Sequence, residues 1–208
     1  MNASIAKALL ELTGKPFSEC SMAFVPTASN VSRGDKDWVI KDLRIAQELG
    51  FKSVDIVDIS ALPKDLWFPG FDVADVLLFE GGNEFHLMDW IKKSGLKELL
   101  PEMLKTKVFV GISAGSIVTG KSLGMSMSER LYSEKVEPYT DDEGLGYADF
   151  LVRPHLNSPH FPGMTLAVLD EVAKEQPETF YAIDDQTAIK VVDQKVEVIS
   201  EGVWKKYH

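Results

Sequence analysis

The pentapeptide Gly-Ile-Ser-Ala-Gly at residues 111–115 is well suited to covalent chemistry. It follows an apolar run at residues 107–110 and precedes a predicted helix, which places Ser113 on a tight strand-to-helix turn. The flanking glycines leave room for such a turn. A serine held in this way can act as a nucleophile, with the N–H of Ala114 as an oxyanion donor. The alternative is a glycine-rich turn in which Ser113 only caps the helix.

A nucleophilic serine needs a base, and the histidines of the chain are His86, His155, His160 and His208. His155 follows a predicted strand at residues 149–152, so it is expected at the same sheet edge as Ser113. His160 lies in a proline-flanked loop and is the alternative base. None of the histidines stands at zinc-binding spacing with the single cysteine, Cys20, and no metal site is predicted.

A pair of glycines lies within Glu-Gly-Gly-Asn at residues 80–83, directly after an apolar run at residues 73–79. Adjacent glycines let the backbone approach a ligand closely, and an N–H there could complete an oxyanion hole. The alternative is a turn that feeds a helix capped by Asn83. The two interpretations are compatible.

The elements that must position these residues alternate between strands and helices. Apolar runs at residues 21–25, 54–59, 73–79 and 107–110 are separated by helical patterns such as residues 37–49. This alternation predicts an α/β fold with a parallel sheet covered on both faces, and ligands bind beyond the carboxyl ends of such strands. The last third predicts short antiparallel strands at residues 179–183, 188–192, 196–200 and 202–204. The length of 208 residues fits one domain.

The charge balance is acidic, with 22 Lys and Arg against 32 Asp and Glu and a net charge of −10. It argues against a nucleic-acid partner, whose phosphates need clustered basic residues, and against an anionic membrane surface. No apolar run approaches the roughly 20 residues of a membrane span, and the N-terminus lacks a signal-peptide pattern. Cys20, being single, cannot form an internal disulfide and is expected in the core. The cytoplasm is the expected location.

Four segments together resemble the peptidase E family of aspartyl dipeptidases, to which cyanophycinases are related. They are Phe-Val-Pro-Thr-Ala-Ser at 24–29, Gly-Gly-Asn-Glu-Phe-His-Leu at 81–87, Gly-Ile-Ser-Ala-Gly-Ser at 111–116 and Pro-His at 154–155. The resemblance implies a flavodoxin-like, three-layer α/β sandwich akin to class I glutamine amidotransferases, as a single domain over residues 1–208. The family opens with a strand, whereas residues 1–14 here have the pattern of a helix.

The resemblance also implies roles for individual residues. Ser113 matches the nucleophile and His155 the base, while Gly82 and Ala114 match the oxyanion donors. Serine stands where the amidotransferases have cysteine.

The acidic third member and the substrate-binding groups follow from the resemblance less directly. The acid is assigned to Glu129, in the segment after the nucleophile helix, with Asp184 and Asp185 as rivals. Arg153, beside the base, is a candidate for binding a substrate carboxylate, and Asn83 and Asp185 are further candidates for substrate contacts.

The expected activity is that of a serine exopeptidase that cleaves small peptides after an N-terminal aspartate, with no metal or organic cofactor. The alternatives are a cyanophycinase-like or isoaspartyl amide hydrolase and a catalytically silent, amidotransferase-like binding domain. The expected partner is a small peptide substrate, and a homo-oligomer is left open.

Overall fold

The computed structural model of the chain describes residues 2–133 and 138–208. The described helices are α1 Ala3–Thr13, α2 Thr27–Asn30, α3 Asp37–Glu48, α4 Lys64–Val73, α5 Glu84–Lys93, α6 Leu96–Met103, α7 Ala114–Ile117, α8 Met125–Tyr132 and α9 Leu166–Glu175. The described strands are β1 Ser21–Val25, β2 Ser53–Ile56, β3 Val76–Phe79, β4 Val108–Gly111, β5 Leu151–Arg153, β6 Phe180–Ile183, β7 Thr187–Val192, β8 Lys195–Ser200 and β9 Trp204–Tyr207.

The chain divides into two compact units. We call residues 9–116 the N-terminal unit. Residues 117–208 form the C-terminal unit, which also includes the first residues of the chain, up to Ala8. The expectation of one domain stays a prediction, because a division into compact units does not test whether either part folds alone.

The N-terminal unit contains a four-stranded parallel sheet in the order β2-β1-β3-β4. The interior strands β1 and β3 are buried along nearly their whole length, as continuous apolar runs in a covered parallel sheet should be. In register, Val25 pairs with Phe79, and Phe79 pairs with Gly111. The carboxyl ends of β1, β3 and β4 therefore meet at one edge of this sheet.

Helices cover both faces of this sheet. On one face, Ala46 of α3 packs with Phe24 and Leu78. On the other face, Phe71 of α4 contacts the ring of Phe79 edge-on, with centroids 6.2 Å apart. The unit is thus a three-layer α/β arrangement with a parallel sheet, which is the fold class predicted from the sequence.

The C-terminal unit has a smaller, mixed sheet in the order β5-β6-β9 and a hairpin of β7 and β8. Strand β6 pairs parallel with β5 and antiparallel with β9, and β7 pairs antiparallel with β8. The antiparallel pairing predicted for the strands after residue 179 is therefore confirmed. Helices α8 and α9 pack on one face of the sheet through Met127, Leu131, Leu169 and Val172.

The start of β3 differs from the sequence-based prediction. The apolar run at residues 73–79 is not one strand, because Val73 ends α4 and is 70% exposed, whereas β3 begins at Val76. Helix α4 itself was not predicted. Helix α1 confirms the predicted helical N-terminus, and the described residues before β1 contain no strand.

Cys20 lies directly before β1 and is fully buried. Its thiol lies 3.8 Å from the carbonyl oxygen of Lys15, a weak hydrogen bond. The expectation that Cys20 is a core residue is therefore confirmed.

Candidate active site

Ser113 occupies a strained turn between β4 and α7. Its φ of +48° lies in the left-handed region, which is uncommon for a residue other than glycine. A Cβ on Gly111 would lie 2.2 Å from the carbonyl oxygen of Gly115, and a Cβ on Gly115 would lie 2.1 Å from that of Phe79. The turn therefore accepts only glycine on either side of the serine, which is the geometry of a nucleophile elbow.

The loop at Gly81 and Gly82 lies beside this elbow. A Cβ added to Gly81 would come within 3.2 Å of Ser113 Cβ. Gly82 has a φ of +129°, and a Cβ there would lie 2.2 Å from the carbonyl oxygen of Ala28. The same carbonyl accepts a 3.0 Å hydrogen bond from the Asn83 N–H. The loop is thus pinned to α2 and passes close to Ser113.

Some backbone N–H groups at this edge form no hydrogen bond within the described residues. Those of Gly82 and Ala114 have no hydrogen-bond acceptor within residues 2–133 and 138–208. Ala114 is the first residue of α7, where an N–H has no partner inside the helix. Two such amides beside a serine hydroxyl can stabilise a developing oxyanion.

Asn83 caps helix α5. Its Oδ1 accepts a 2.7 Å hydrogen bond from the N–H of His86, which lies three residues later in the sequence. The capping interpretation of Asn83 is therefore correct, and the hydrogen bond commits one side-chain oxygen to the helix.

Glu80 directly follows β3, next to this loop, and is fully buried. Its Oε1 accepts a 3.0 Å hydrogen bond from the Gly81 N–H. Burial, reinforced by the nearby Asp42 carboxylate, raises the pKa of Glu80 to about 8. With this pKa the Glu80 carboxyl is mostly protonated near neutral pH, and it is hydrogen-bonded to the glycine loop through Gly81.

Asp58 organises the segment that follows β1. Its carboxylate accepts hydrogen bonds from Thr27 Oγ1 at 2.8 Å, Asn30 Nδ2 at 2.6 Å and Ser60 Oγ at 2.7 Å. Burial would raise the pKa of Asp58, but these hydrogen bonds outweigh burial and leave the pKa below its usual value. The Thr-Ala-Ser segment therefore owes its position to a carboxylate 31 residues later in the chain.

The C-terminal unit presents His155 with an orienting carboxylate. His155 Nδ1 lies 2.8 Å from Asp185 Oδ1, and the imidazole stacks on Phe161 with ring centroids 4.4 Å apart. The side chain of His155 is 21% exposed and that of Asp185 is 66% exposed. A carboxylate on Nδ1 leaves Nε2 as the nitrogen that exchanges protons, which is the arrangement a general base requires.

Asp185, rather than Glu129 or Asp184, makes this contact. The Asp184 carboxylate caps a turn, accepting from Thr187 Oγ1 at 2.7 Å and from the Val203 N–H at 2.6 Å. Glu129 lies on α8 and lines an open cavity of about 530 Å³ with Asp142 and other residues. Its carboxylate forms no hydrogen bond or ion pair with the rest of the described chain. The geometry therefore favours Asp185 for the role that the sequence analysis gave to Glu129.

Arg153 does not fit the substrate-binding role suggested by its position beside the base. It is fully buried, and its Nη2 donates to the Leu123 carbonyl oxygen at 2.7 Å and to that of Gly124 at 3.4 Å. Its Nη1 donates to Ser128 Oγ at 3.3 Å. The guanidinium thus ties β5 to the start of α8 and has no exposed surface with which to reach a substrate.

The other histidines have different surroundings. His86 lies on α5, where burial lowers its pKa. His208 Nε2 lies 2.9 Å from the Ala173 carbonyl oxygen. The His160 ring forms no hydrogen bond within the described part of the chain. The structure thus shows a carboxylate oxygen at hydrogen-bonding distance from the His155 ring.

Across residues 2–133 and 138–208, no group of three His, Cys, Asp or Glu side chains is arranged to hold a metal ion. In the same ranges, no helix has both the length and the apolar character to span a bilayer.

Comparisons with known sequences show which proteins the chain is similar to. The model of peptidase family S51 matches residues 1–199. An uncharacterised peptidase of Listeria innocua is 27% identical over 177 residues, or 85% of this chain and 82% of the relative. Peptidase E of Shewanella oneidensis is 35% identical over 91 residues, or 43% of this chain and 36% of the relative.

Solved structures give a consistent result. A candidate peptidase E from Listeria monocytogenes matches with a TM-score of 0.79 and 22% identity, over 96% of this chain and 94% of that one. A peptidase from an acI-B1 actinobacterium matches with a TM-score of 0.66 and 18% identity, over 98% and 88% of the two chains. At these identities the likeness shows the fold, and it agrees with the α/β class described above.

Proposed function

We propose that the chain is an exopeptidase that releases N-terminal aspartate from small peptides. The premise is that the chain belongs to peptidase family S51 and is a serine peptidase. Membership of the family confirms the resemblance to peptidase E. The observation that carries the proposal is the elbow at Ser113, with its φ of +48° and its two flanking glycines. The preference for aspartate rests on the family resemblance.

The proposed reaction begins at Ser113 Oγ, which attacks the scissile carbonyl carbon while His155 Nε2 takes its proton. The N–H groups of Gly82 and Ala114 donate to the oxyanion, and removing one such donor typically costs about 3 kcal/mol of transition-state stabilisation. His155 then gives the proton to the leaving amine. A water molecule, deprotonated by His155, hydrolyses the acyl-enzyme.

Asp185 is the proposed orienting acid. Its 2.8 Å contact with His155 Nδ1 supports this role, because it selects one tautomer and stabilises the imidazolium that forms. Phe161 limits rotation of the imidazole by stacking on its face. Arg153 is not assigned a substrate contact, because it is fully buried. Asn83 is not assigned one either, because its Oδ1 caps α5.

The test compares Ser113→Ala with Ser116→Ala, because Ser116 is the neighbouring hydroxyl and donates to the Ser113 carbonyl oxygen at 2.6 Å. Each variant is assayed by chromatography on α-aspartyl dipeptides, isoaspartyl dipeptides and branched Asp–Arg peptides. We expect Ser113→Ala to lose at least about 10³-fold in kcat and Ser116→Ala to stay within about tenfold of the unsubstituted protein.

The same panel decides between the alternatives. Hydrolysis confined to isoaspartyl or branched substrates identifies a cyanophycinase-like or isoaspartyl hydrolase. No Ser113-dependent hydrolysis of any substrate refutes the exopeptidase and supports a binding domain. We further propose that the protein acts in the cytoplasm without a nucleic-acid or membrane partner, on the basis of its acidic composition and single cysteine.

A further inference from the structure

Glu80 is a buried carboxyl group that the proposed reaction does not use. It directly follows β3 and has no exposed surface, although acidic side chains are rarely buried without a partner charge. Its Oε1 is engaged by the Gly81 N–H at 3.0 Å. Its Oε2 receives no hydrogen bond from the described residues. An oxygen in that situation is explained if it carries a proton and acts as a donor itself.

Helix α3 supplies the group that faces Glu80. Asp42, on this helix, is near enough to Glu80 for its charge and side chain to raise the pKa of Glu80. Four residues earlier on the same helix face, Trp38 reaches the glycine loop, where a Cβ on Gly81 would lie 3.3 Å from Trp38 Cζ3. One helix therefore contacts both the loop and the carboxyl group beneath it.

We propose that Glu80, in its protonated form, positions the Gly81–Gly82 backbone against Ser113, so that the Gly82 N–H can serve as an oxyanion donor. Glu80 is then a positioning residue, since it touches the loop and not the reacting atoms. This inference rests on the proposed function, because it assigns Gly82 a role in that reaction.

The protonation state of Glu80 matters because only the protonated carboxyl can both accept a hydrogen bond and donate one. Protonated Glu80 accepts from the Gly81 N–H through Oε1 and has a proton that it can donate to Asp42. Ionised Glu80 would put two carboxylates side by side in a buried site, which is strongly unfavourable. The side chain would then leave its place, and Gly81 would lose its acceptor.

The pKa of Glu80 supports this account. Burial and the Asp42 charge raise it to about 8, so loss of the proton falls within the range where a peptidase is assayed. Glu84, in the first turn of α5, is likewise buried, and its Oε1 has no partner in the described chain. It is a matched residue for the test, because it lies four positions from Glu80 and makes no contact with the Gly81 N–H.

The first experiment measures kcat/KM against pH for the unsubstituted protein, Glu80→Gln and Glu84→Gln, using the best aspartyl dipeptide of the panel. Glutamine can accept from Gly81 and donate to Asp42, so it mimics the protonated carboxyl at every pH. We expect the unsubstituted protein and Glu84→Gln to lose activity tenfold per pH unit above about 8. Glu80→Gln should stay within about threefold of its neutral value up to pH 9.5. An alkaline limb unchanged in Glu80→Gln overturns the inference.

A second experiment needs no substrate. Because the folded state holds on to the Glu80 proton above the ordinary carboxyl pKa near 4.5, the stabilisation is complete at low pH and is lost as the pH rises through about 8. The melting temperature of the unsubstituted protein should therefore fall between pH 5 and 8 relative to Glu80→Gln. Parallel curves for the two proteins overturn the inference. If the Ser113→Ala variant still hydrolysed the substrate, the proposed function would be refuted. The melting-temperature comparison would still test the titration of Glu80, because it needs no activity.

Discussion

Replacing Asp185 with asparagine removes the charge on the carboxylate that contacts His155, and we expect kcat/KM to fall while the fold persists. The contact is 2.8 Å long, and asparagine keeps the size of the side chain. Its NH₂ group could also donate to Nδ1 and favour the wrong tautomer of the imidazole. The substitution therefore tests orientation and charge together, without creating a cavity.

The magnitude follows from the distance and the exposure of the pair. At the 2.8 Å separation of His155 Nδ1 and Asp185 Oδ1, two unit charges attract by about 1.5 kcal/mol in a water-like dielectric. The Asp185 side chain is 66% exposed, so solvent screens the pair and the larger interior values do not apply. Allowing for the charge-assisted hydrogen bond, we expect a loss of roughly 1.5–3 kcal/mol, or roughly 10- to 150-fold in kcat/KM.

The assay is steady-state hydrolysis of the best aspartyl dipeptide by Asp185→Asn and by Glu129→Gln, the matched control. Glu129→Gln should stay within about twofold of the unsubstituted protein, since its carboxylate forms no hydrogen bond or ion pair within the described chain. Equal losses in the two variants, or an Asp185→Asn variant within threefold of the unsubstituted protein, would refute the assignment of Asp185 as the orienting acid.

Three further predictions concern the surroundings of the site. Gly115→Ala should lower the free energy of unfolding in urea by at least about 3 kcal/mol, because its Cβ would lie 2.1 Å from the Phe79 carbonyl oxygen. Asp58→Asn should flatten the acid limb of a melting-temperature profile, because the lowered pKa of Asp58 contributes stability that is lost as the pH falls through the folded-state pKa. Phe161→Leu should lower kcat by about 2- to 10-fold in a dipeptidase assay, because His155 loses its stacking partner.

Each of these predictions has its own control. Gly50→Ala, at a φ of +80° with open space around the added Cβ, should cost only about 1 kcal/mol, and a loss as small in Gly115→Ala would contradict the elbow geometry. If the melting temperature of Asp58→Asn fell as steeply at acid pH as that of the unsubstituted protein, other carboxylates would be responsible for the loss of stability in acid. A Phe161→Leu variant with an unchanged kcat would show that stacking does not restrain the imidazole.

The parts of the site that the sequence could predict are those set by neighbouring residues. The elbow at Ser113 follows from two glycines at a fixed spacing after an apolar run, and the Asn83 cap follows from its place before a helix. Both features need only local backbone geometry. The parallel sheet was likewise predictable, because β1 and β3 are buried on both faces and read as unbroken apolar runs.

The features that the sequence could not predict depend on contacts across many residues. The bond between His155 and Asp185 spans 30 positions, and no local pattern separates Asp185 from Asp184. Arg153 stands next to the base in sequence, yet Leu123 and Gly124 draw its guanidinium into the core. The start of β3 was misplaced because Val73 is apolar but exposed at the end of α4. Hydropathy alone does not separate an exposed helix end from the start of a buried strand.

The fully buried thiol before β1 has a consequence for how the protein's stability can be measured. Cys20 is the single cysteine of the sequence, so any reaction with an aromatic disulfide reagent reports on one site. Since the side chain is fully buried, the reagent reaches the sulfur only when the structure around Cys20 opens. Dividing the reaction rate of the folded chain by that of the unfolded chain gives the opening equilibrium directly when reclosing is fast. The reactivity of Cys20 therefore reports opening of the structure at the start of β1, without an introduced label.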